Sequence, residues 1–101
     1  MEAFDALGSP VRREILIALR ERPLAVHEIA DLFPVSRPAI SRHVRVLEEA
    51  GLVELTRRGR QSVYAVRLQG FATVRVFLDT FWEVALERLS ALAKEDSGGS
   101  K

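Results

Sequence analysis

The chain has 101 residues, 48% of them apolar, and a net charge of +1. That suits one domain burying somewhat over ~60% of its unfolded surface, with little room for a separate catalytic cleft. Without cysteine it forms neither disulfides nor thiolate metal sites; it has no signal-like start and no window of ~20 apolar residues, so a cytoplasmic protein is expected.

Phe4 and Leu7 lie in a short N-terminal segment. Ser9 is a cap candidate with Pro10 behind it, predicting a helix from Pro10 to Arg20 whose core stripe is Val11, Ile15, Ala18 and Leu19. Arg12 and Arg13, in its first turn, are expected to be solvated. A shorter apolar period at Val26, Ile29, Ala30 and Phe33 predicts a helix within Leu24 to Phe33, stopped by Pro34. After a turn of three or four residues, Ser36 can cap a third helix from Arg37 to Ala50. Pro38 is tolerated in its first turn, and Gly51 suits the left-handed position after its end. Ile40, Val44 and Leu47 form its buried seam. Arg37, Ser41 and Arg45 lie opposite, flanked by Pro38 and Arg42. Two helices joined by a turn, the second exposing serine and arginine, make a helix-turn-helix whose second helix can enter a DNA groove.

Strand-like runs follow at Leu52 to Thr56 and Ser62 to Arg67, around a tip with Arg57, Arg58, Gly59 and Arg60. Such a basic hairpin beside the second helix reads as a wing whose arginines reach phosphates or a narrow minor groove. The charge distribution agrees: from Ser36 to Arg67 seven arginines face three glutamates, a local +4, while the remainder carries −3. Phe71 to about Ala93 is the longest helical pattern. Phe71, Val74, Leu78, Phe81, Ala85, Leu89 and Leu92 form one stripe, and Phe77, Trp82, Val84 and Leu86 spread the apolar surface beyond it. So apolar a helix needs more burial than one small domain offers. A homodimer supplies it, with Phe4, Leu7, Phe71, Val74, Leu78, Phe81, Trp82, Ala85 and Leu89 at the interface. The domain is thus expected over 1–93, with a disordered polar tail at 94–101.

Leu7 through Leu16, Ser36 through His43, Leu47 through Val53 and the Arg57 to Tyr64 hairpin together resemble the arsenic-repressor (ArsR/SmtB) family of transcription factors, over about residues 3 to 93. The resemblance implies a mainly helical, homodimeric winged helix-turn-helix in the order ααααββα, binding double-stranded DNA at a palindromic operator. Its DNA contacts would be Ser36, Arg37, Pro38, Ser41, Arg42, Arg45, Arg57, Arg58 and Arg60. Many members sense metal through a cysteine-valine-cysteine motif, which here is Ala25-Val26-His27. Others hold zinc on the last helix through aspartate, histidine and glutamate, where this chain has Asp79, Glu83 and Glu87 without histidine. His43 is expected to pack within its helix pair and His27 to be exposed. No metal or other cofactor is expected, and the Phe81-Trp82 pair resembles a cysteine-free branch that includes autorepressors.

Two further readings stay open: a winged-helix module holding a protein partner on its last helix, and a sensor of a small molecule or metal at the dimer interface. No catalytic residue is expected, because no motif places a nucleophile, base and acid together.

Overall fold

The computed structural model describes residues 2–99, the last five by backbone alone. Its elements are α1 (Ala3–Ala6), α2 (Pro10–Glu21), α3 (Val26–Ala30), α4 (Arg37–Glu49), β1 (Val53–Arg58), β2 (Gln61–Val66) and α5 (Ala72–Gly99), with a 3-10 turn at Leu68–Phe71 leading into α5. This is the expected order, mainly helical with one antiparallel hairpin.

Local chemistry fixes both long internal helices at their starts. Ser9 Oγ accepts the Arg12 amide at 3.3 Å with Pro10 behind it, and Ser36 Oγ accepts the Ala39 amide at 3.3 Å; each bond satisfies a first-turn donor that has no helical partner. The end of α4 is equally defined. Leu52 N–H donates to the Leu47 carbonyl at 3.0 Å and Gly51 N–H to Glu48 at 2.9 Å, with Gly51 at φ +78. That is a Schellman closure, and Leu52 beyond it is fully buried.

The expected seam of α4 is the centre of the core: Ile40, Val44 and Leu47 are buried with Ile15 and Leu19 of α2, Ile29 of α3, Leu52 and Val53. Val11 and Ala18 are half-buried at its edge, and Leu16 joins Ile15 and Leu19 inside.

Three expectations need correction. First, the helix expected within Leu24 to Phe33 is only Val26–Ala30, and the turn before α4 runs over the six residues 31–36. Leu24 pairs instead with Tyr64 of the hairpin, amide to carbonyl in both directions at 3.0 and 2.8 Å, so its backbone is committed to a strand bridge. Pro34 in turn disfavours a helical Phe33. Second, Arg57 and Arg58 are strand residues. The hairpin register pairs Arg57 with Ser62 and Arg58 with Gln61, leaving Gly59-Arg60 as a two-residue turn. Gly59 has φ +59 and Arg60 after it does not have positive φ, which is the type II′ geometry suited to twisted strands. Third, α5 continues as backbone to Gly99, past the end expected at Ala93; Ala91 through Glu95 favour this, while its passage through Ser97, Gly98 and Gly99 has no local explanation. The rest of the tail expected over 94–101, residues 100 and 101, lies outside the described residues.

The body and α5 differ in burial. Phe71 and Val74 pack against the core, but beyond them the large apolar side chains of α5 through Leu92 are exposed. The Cα radius of gyration is 19.0 Å and the longest extent 67 Å, against ~13 Å for a compact chain of this size. The last helix is an arm standing off the domain. Among the described residues, no helix is long and apolar enough to cross a membrane.

Candidate nucleic-acid interface

Because the seam of α4 is sunk in the core, its other face is held outward. Ser36, Arg37, Pro38, Arg42 and Arg45 are exposed and Ser41 is half-buried. Arg37, Ser41 and Arg45, four residues apart, share one stripe. The Ser36 hydroxyl is engaged as the cap acceptor, which leaves its O–H donor and its second lone pair free. Arg57, Arg58 and Arg60 are exposed on the hairpin. Since neighbouring strand residues alternate faces, Arg57 lies with Leu55, Ser62 and Tyr64, whereas Arg58 lies with Gln61 on the reverse. The wing therefore offers a cation on each side and one at its turn.

Among the described residues, none of Arg37, Arg42, Arg45, Arg57, Arg58 and Arg60 forms an ion pair; the salt bridges there are Arg20 to Glu21 and Arg75 to Asp79. Six exposed, uncompensated guanidinium groups on two adjacent elements suit a polyanion, to which arginine donates bidentately.

A cleft separates wing and helices, lined by His27, Arg37, Leu55, Gln61, Ser62 and Tyr64 among others. His27, Gln61, Ser62 and Tyr64 were not among the expected contacts. The Leu24 to Tyr64 bridge, a pairing 40 residues apart in sequence that no local pattern announces, helps bring them together. Burial first, and then Glu48, pushes the Tyr64 phenol above its ordinary 10.0, so it keeps its proton at neutral pH and can donate. His27 is exposed, as expected.

Arg12 departs from expectation: it is half-buried, its Nε donating to the Ala6 carbonyl at 2.7 Å and its Nη2 to the Asp5 carbonyl at 3.2 Å. Arg13 is exposed, as expected, and its Nη1 donates to the Leu7 carbonyl at 2.6 Å. Both serve the C-terminal end of α1, where carbonyls lack helical partners and the helix dipole favours cations. Arg12 Nη1 also lies 3.4 Å from His43 Nδ1. Burial is the main cause holding the His43 imidazole below its ordinary 6.5, followed by repulsion from Arg12 and Arg42. The unfolded chain therefore binds a proton near pH 6.5 that the folded chain takes up only at lower pH, so stability is lost as pH falls through that window. Urea midpoints at pH 7.5 and 5.5 are expected to show the loss, and His43→Gln to remove most of it; an unchanged pH dependence in the variant would assign the loss elsewhere.

Of the expected dimer residues, Leu7, Phe71 and Val74 are half-buried against the domain's own core, and Ala85 is half-buried on α5. Phe4, Leu78, Phe81, Trp82 and Leu89 are exposed. Phe77 meets Phe4 edge-on at 5.1 Å and Phe81 at 4.9 Å, so three aromatic rings join α1 to α5.

Residues 9–54 match the family model described as bacterial regulatory protein, arsR family. An HTH-type transcriptional regulator of Mycobacterium tuberculosis is 45% identical over 84 residues, which cover 83% of this chain and 78% of that protein. The HTH-type transcriptional repressor SmtB of the same species is 38% identical over 78 residues, 77% of this chain and 56% of that repressor, so the chain spans little more than half of it. A solution structure of the homodimeric winged helix-turn-helix DNA-binding domain of a possible ArsR-family regulator from Mycobacterium bovis superposes with a TM-score of 0.61. It is 30% identical, over 74% of this chain and 73% of that one.

Proposed function

Because this chain belongs to the arsR family of bacterial regulatory proteins, we propose that it works as a homodimer that represses transcription by occupying a palindromic operator. The family consists of DNA-binding transcriptional regulators, not enzymes. The observation that carries the reading is the uncompensated arginine face of α4 and the wing. Arg37, Ser41 and Arg45 read base edges in the major groove, with Ser36, Pro38 and Arg42 at the margins, and Arg57, Arg58 and Arg60 hold phosphates or the adjacent minor groove. Paired α5 arms set two α4 helices about one turn of DNA apart, ~34 Å. The relative named a repressor and the homodimeric neighbour favour this reading. Repression is independent of metal: the chain has no cysteine, and Ala25 and His27 stand where thiolates would be needed. The protein acts in the cytoplasm, where the DNA is.

Selection from genomic fragments by the purified protein, with and without chelator, tests this directly. An inverted repeat is expected, the same in both arms; no enrichment, or enrichment abolished by chelator, would overturn it. On the selected site, affinity should fall with salt by about 0.9 log units per log unit of salt for each phosphate neutralised. Arg58→Ala should weaken all sequences alike and lower that slope by roughly 1, whereas Arg45→Ala should relax preference at one position by about 1–3 kcal/mol. Equal behaviour of the two variants in a binding titration would contradict the assigned roles.

A further inference from the structure

Helix α1 is four residues long, too short to persist by its own hydrogen bonds. It is held by burial of Ala3 and Ala6 and by the guanidinium of Arg12, which takes the Ala6 and Asp5 carbonyls at 2.7 and 3.2 Å. The third arm of that guanidinium reaches His43 in the middle of α4 at 3.4 Å. On its other side α1 touches the arm, with the Phe4 ring on Phe77 of α5. A single side chain, rooted in α2, thus connects the end of α1 to the helix carrying Ser41, Arg42 and Arg45.

We propose that Arg12 is a positioning residue that fixes the angle between the recognition helix and the dimer arm, through α1. The inference rests on the DNA-binding, dimeric reading above. The chemistry is specific to a planar fork: one guanidinium serves two carbonyls and an imidazole nitrogen at once, which an ammonium, a compact point charge, does less well. His43 Nδ1 takes part as an acceptor, with the ring proton on Nε2. The imidazole's environment favours that neutral form, since burial first, and then Arg12 from α2 and Arg42 from its own helix, oppose protonation. The base of the arm is already tied to the end of α4, where Gly70 lies against Gly51. The Arg12 link supplies a second point of attachment, and two points set an angle. Without it α4 keeps its buried seam and its arginines, so each protomer still recognises a half-site, but the two helices no longer arrive at a fixed separation.

Three duplexes test this in binding titrations with wild type, Arg12→Gln, His43→Leu and His43→Gln: the selected palindrome, the palindrome with one base pair added at its centre, and a single half-site. Wild type should prefer the palindrome steeply over the lengthened site. Arg12→Gln and His43→Leu should lose roughly fivefold or more on the palindrome, little on the other two, and remain dimers in sizing experiments. His43→Gln, whose amide oxygen can accept from Arg12, should stay close to wild type. In Arg12→Gln the His43 imidazole, followed by NMR, should titrate at higher pH, because one neighbouring cation is gone. An equal loss on all three duplexes, or palindrome binding by Arg12→Gln and His43→Leu that matches wild type, overturns the proposal. If Arg12→Gln does not fold, His43→Leu carries the test from the α4 side. Failure of the underlying reading looks different: wild type itself would show no preference for the palindrome, before any variant is compared.

Discussion

Phe81→Glu combined with Leu89→Glu should give a folded monomer that no longer holds the palindrome. Both side chains stand on the arm, 59% and 61% exposed in the single chain, with Trp82 at 63% beside them. The domain's core does not include them, since it ends at Phe71 and Val74, and Phe81 meets only the edge of Phe77. In a paired arm each would gain about 1.5–3 kcal/mol by burial, and a glutamate there must be desolvated without a partner. Operator binding then loses one of its two half-sites. A dimer that binds specifically at about 10⁻⁸ M draws roughly half of that free energy from each half. A lone protomer is left near 10⁻⁴ M, in the range of non-specific binding, a loss on the order of 10⁴-fold. Light scattering should report a mass halved from wild type, circular dichroism an unchanged helix content, and anisotropy the loss of affinity. A double variant that stays dimeric, or binds the palindrome as wild type does, would remove the arm from the interface. Asp79→Ala, on the polar side of α5, is the control expected to change none of these.

The elements that a reader of the bare chain could place were those whose ends are decided locally. Ser36, Pro38 and Gly51 bracket α4 through one side-chain bond, one missing donor and one left-handed residue, and each acts within a few positions of itself. Ser9 and Pro10 do the same for α2. Elements settled by distant partners were read less well. The bridge between Leu24 and Tyr64 shortens α3 and builds the cleft that holds His27, Ser62 and Tyr64. Arg12 and Arg13 resemble any solvated first turn until α1 folds back and offers its carbonyls.

The arm shows the same division. Its excess of apolar surface was legible, because no periodicity could hide Phe77, Trp82, Val84 and Leu86 behind the main stripe. Which residues of that stripe serve the domain's own core was not legible. Phe71 and Val74 turned inward because the 3-10 turn at Leu68–Phe71 brings the start of α5 against the body. That turn also sets Gly70 against Gly51, just past the end of α4.

Gly70→Ala is the smallest change that should disrupt this junction. A Cβ at Gly70 would lie 1.8 Å from the Gly51 carbonyl oxygen and 2.6 Å from its carbon. Neither atom belongs to a side chain that can rotate away. Gly51 is held in its left-handed conformation by the closure of α4, Leu52 behind it is fully buried, and Arg67 clasps both: its amide donates to the Leu52 carbonyl at 2.8 Å and its Nη1 to Gly51 at 3.3 Å. One backbone must retreat from the other, breaking the Schellman closure or lifting the 3-10 turn. Overpacking of a core usually costs about 1–3 kcal/mol; with backbone as the obstacle, we expect ~3 kcal/mol or more, or a fall in Tm of ~12 °C or more for a domain of this size. Gly59→Ala separates this steric cause from glycine's backbone freedom. Its φ of +59 disfavours alanine, but no atom lies within 4 Å of the added methyl, so its cost should be limited to about 1–2 kcal/mol. Thermal melts must be compared at one protein concentration, because the apparent stability of the proposed dimer rises with concentration. A Tm for Gly70→Ala within two or three degrees of wild type, or one that falls less than that of Gly59→Ala, would mean that the junction yields and does not rigidly join the arm to the recognition helix.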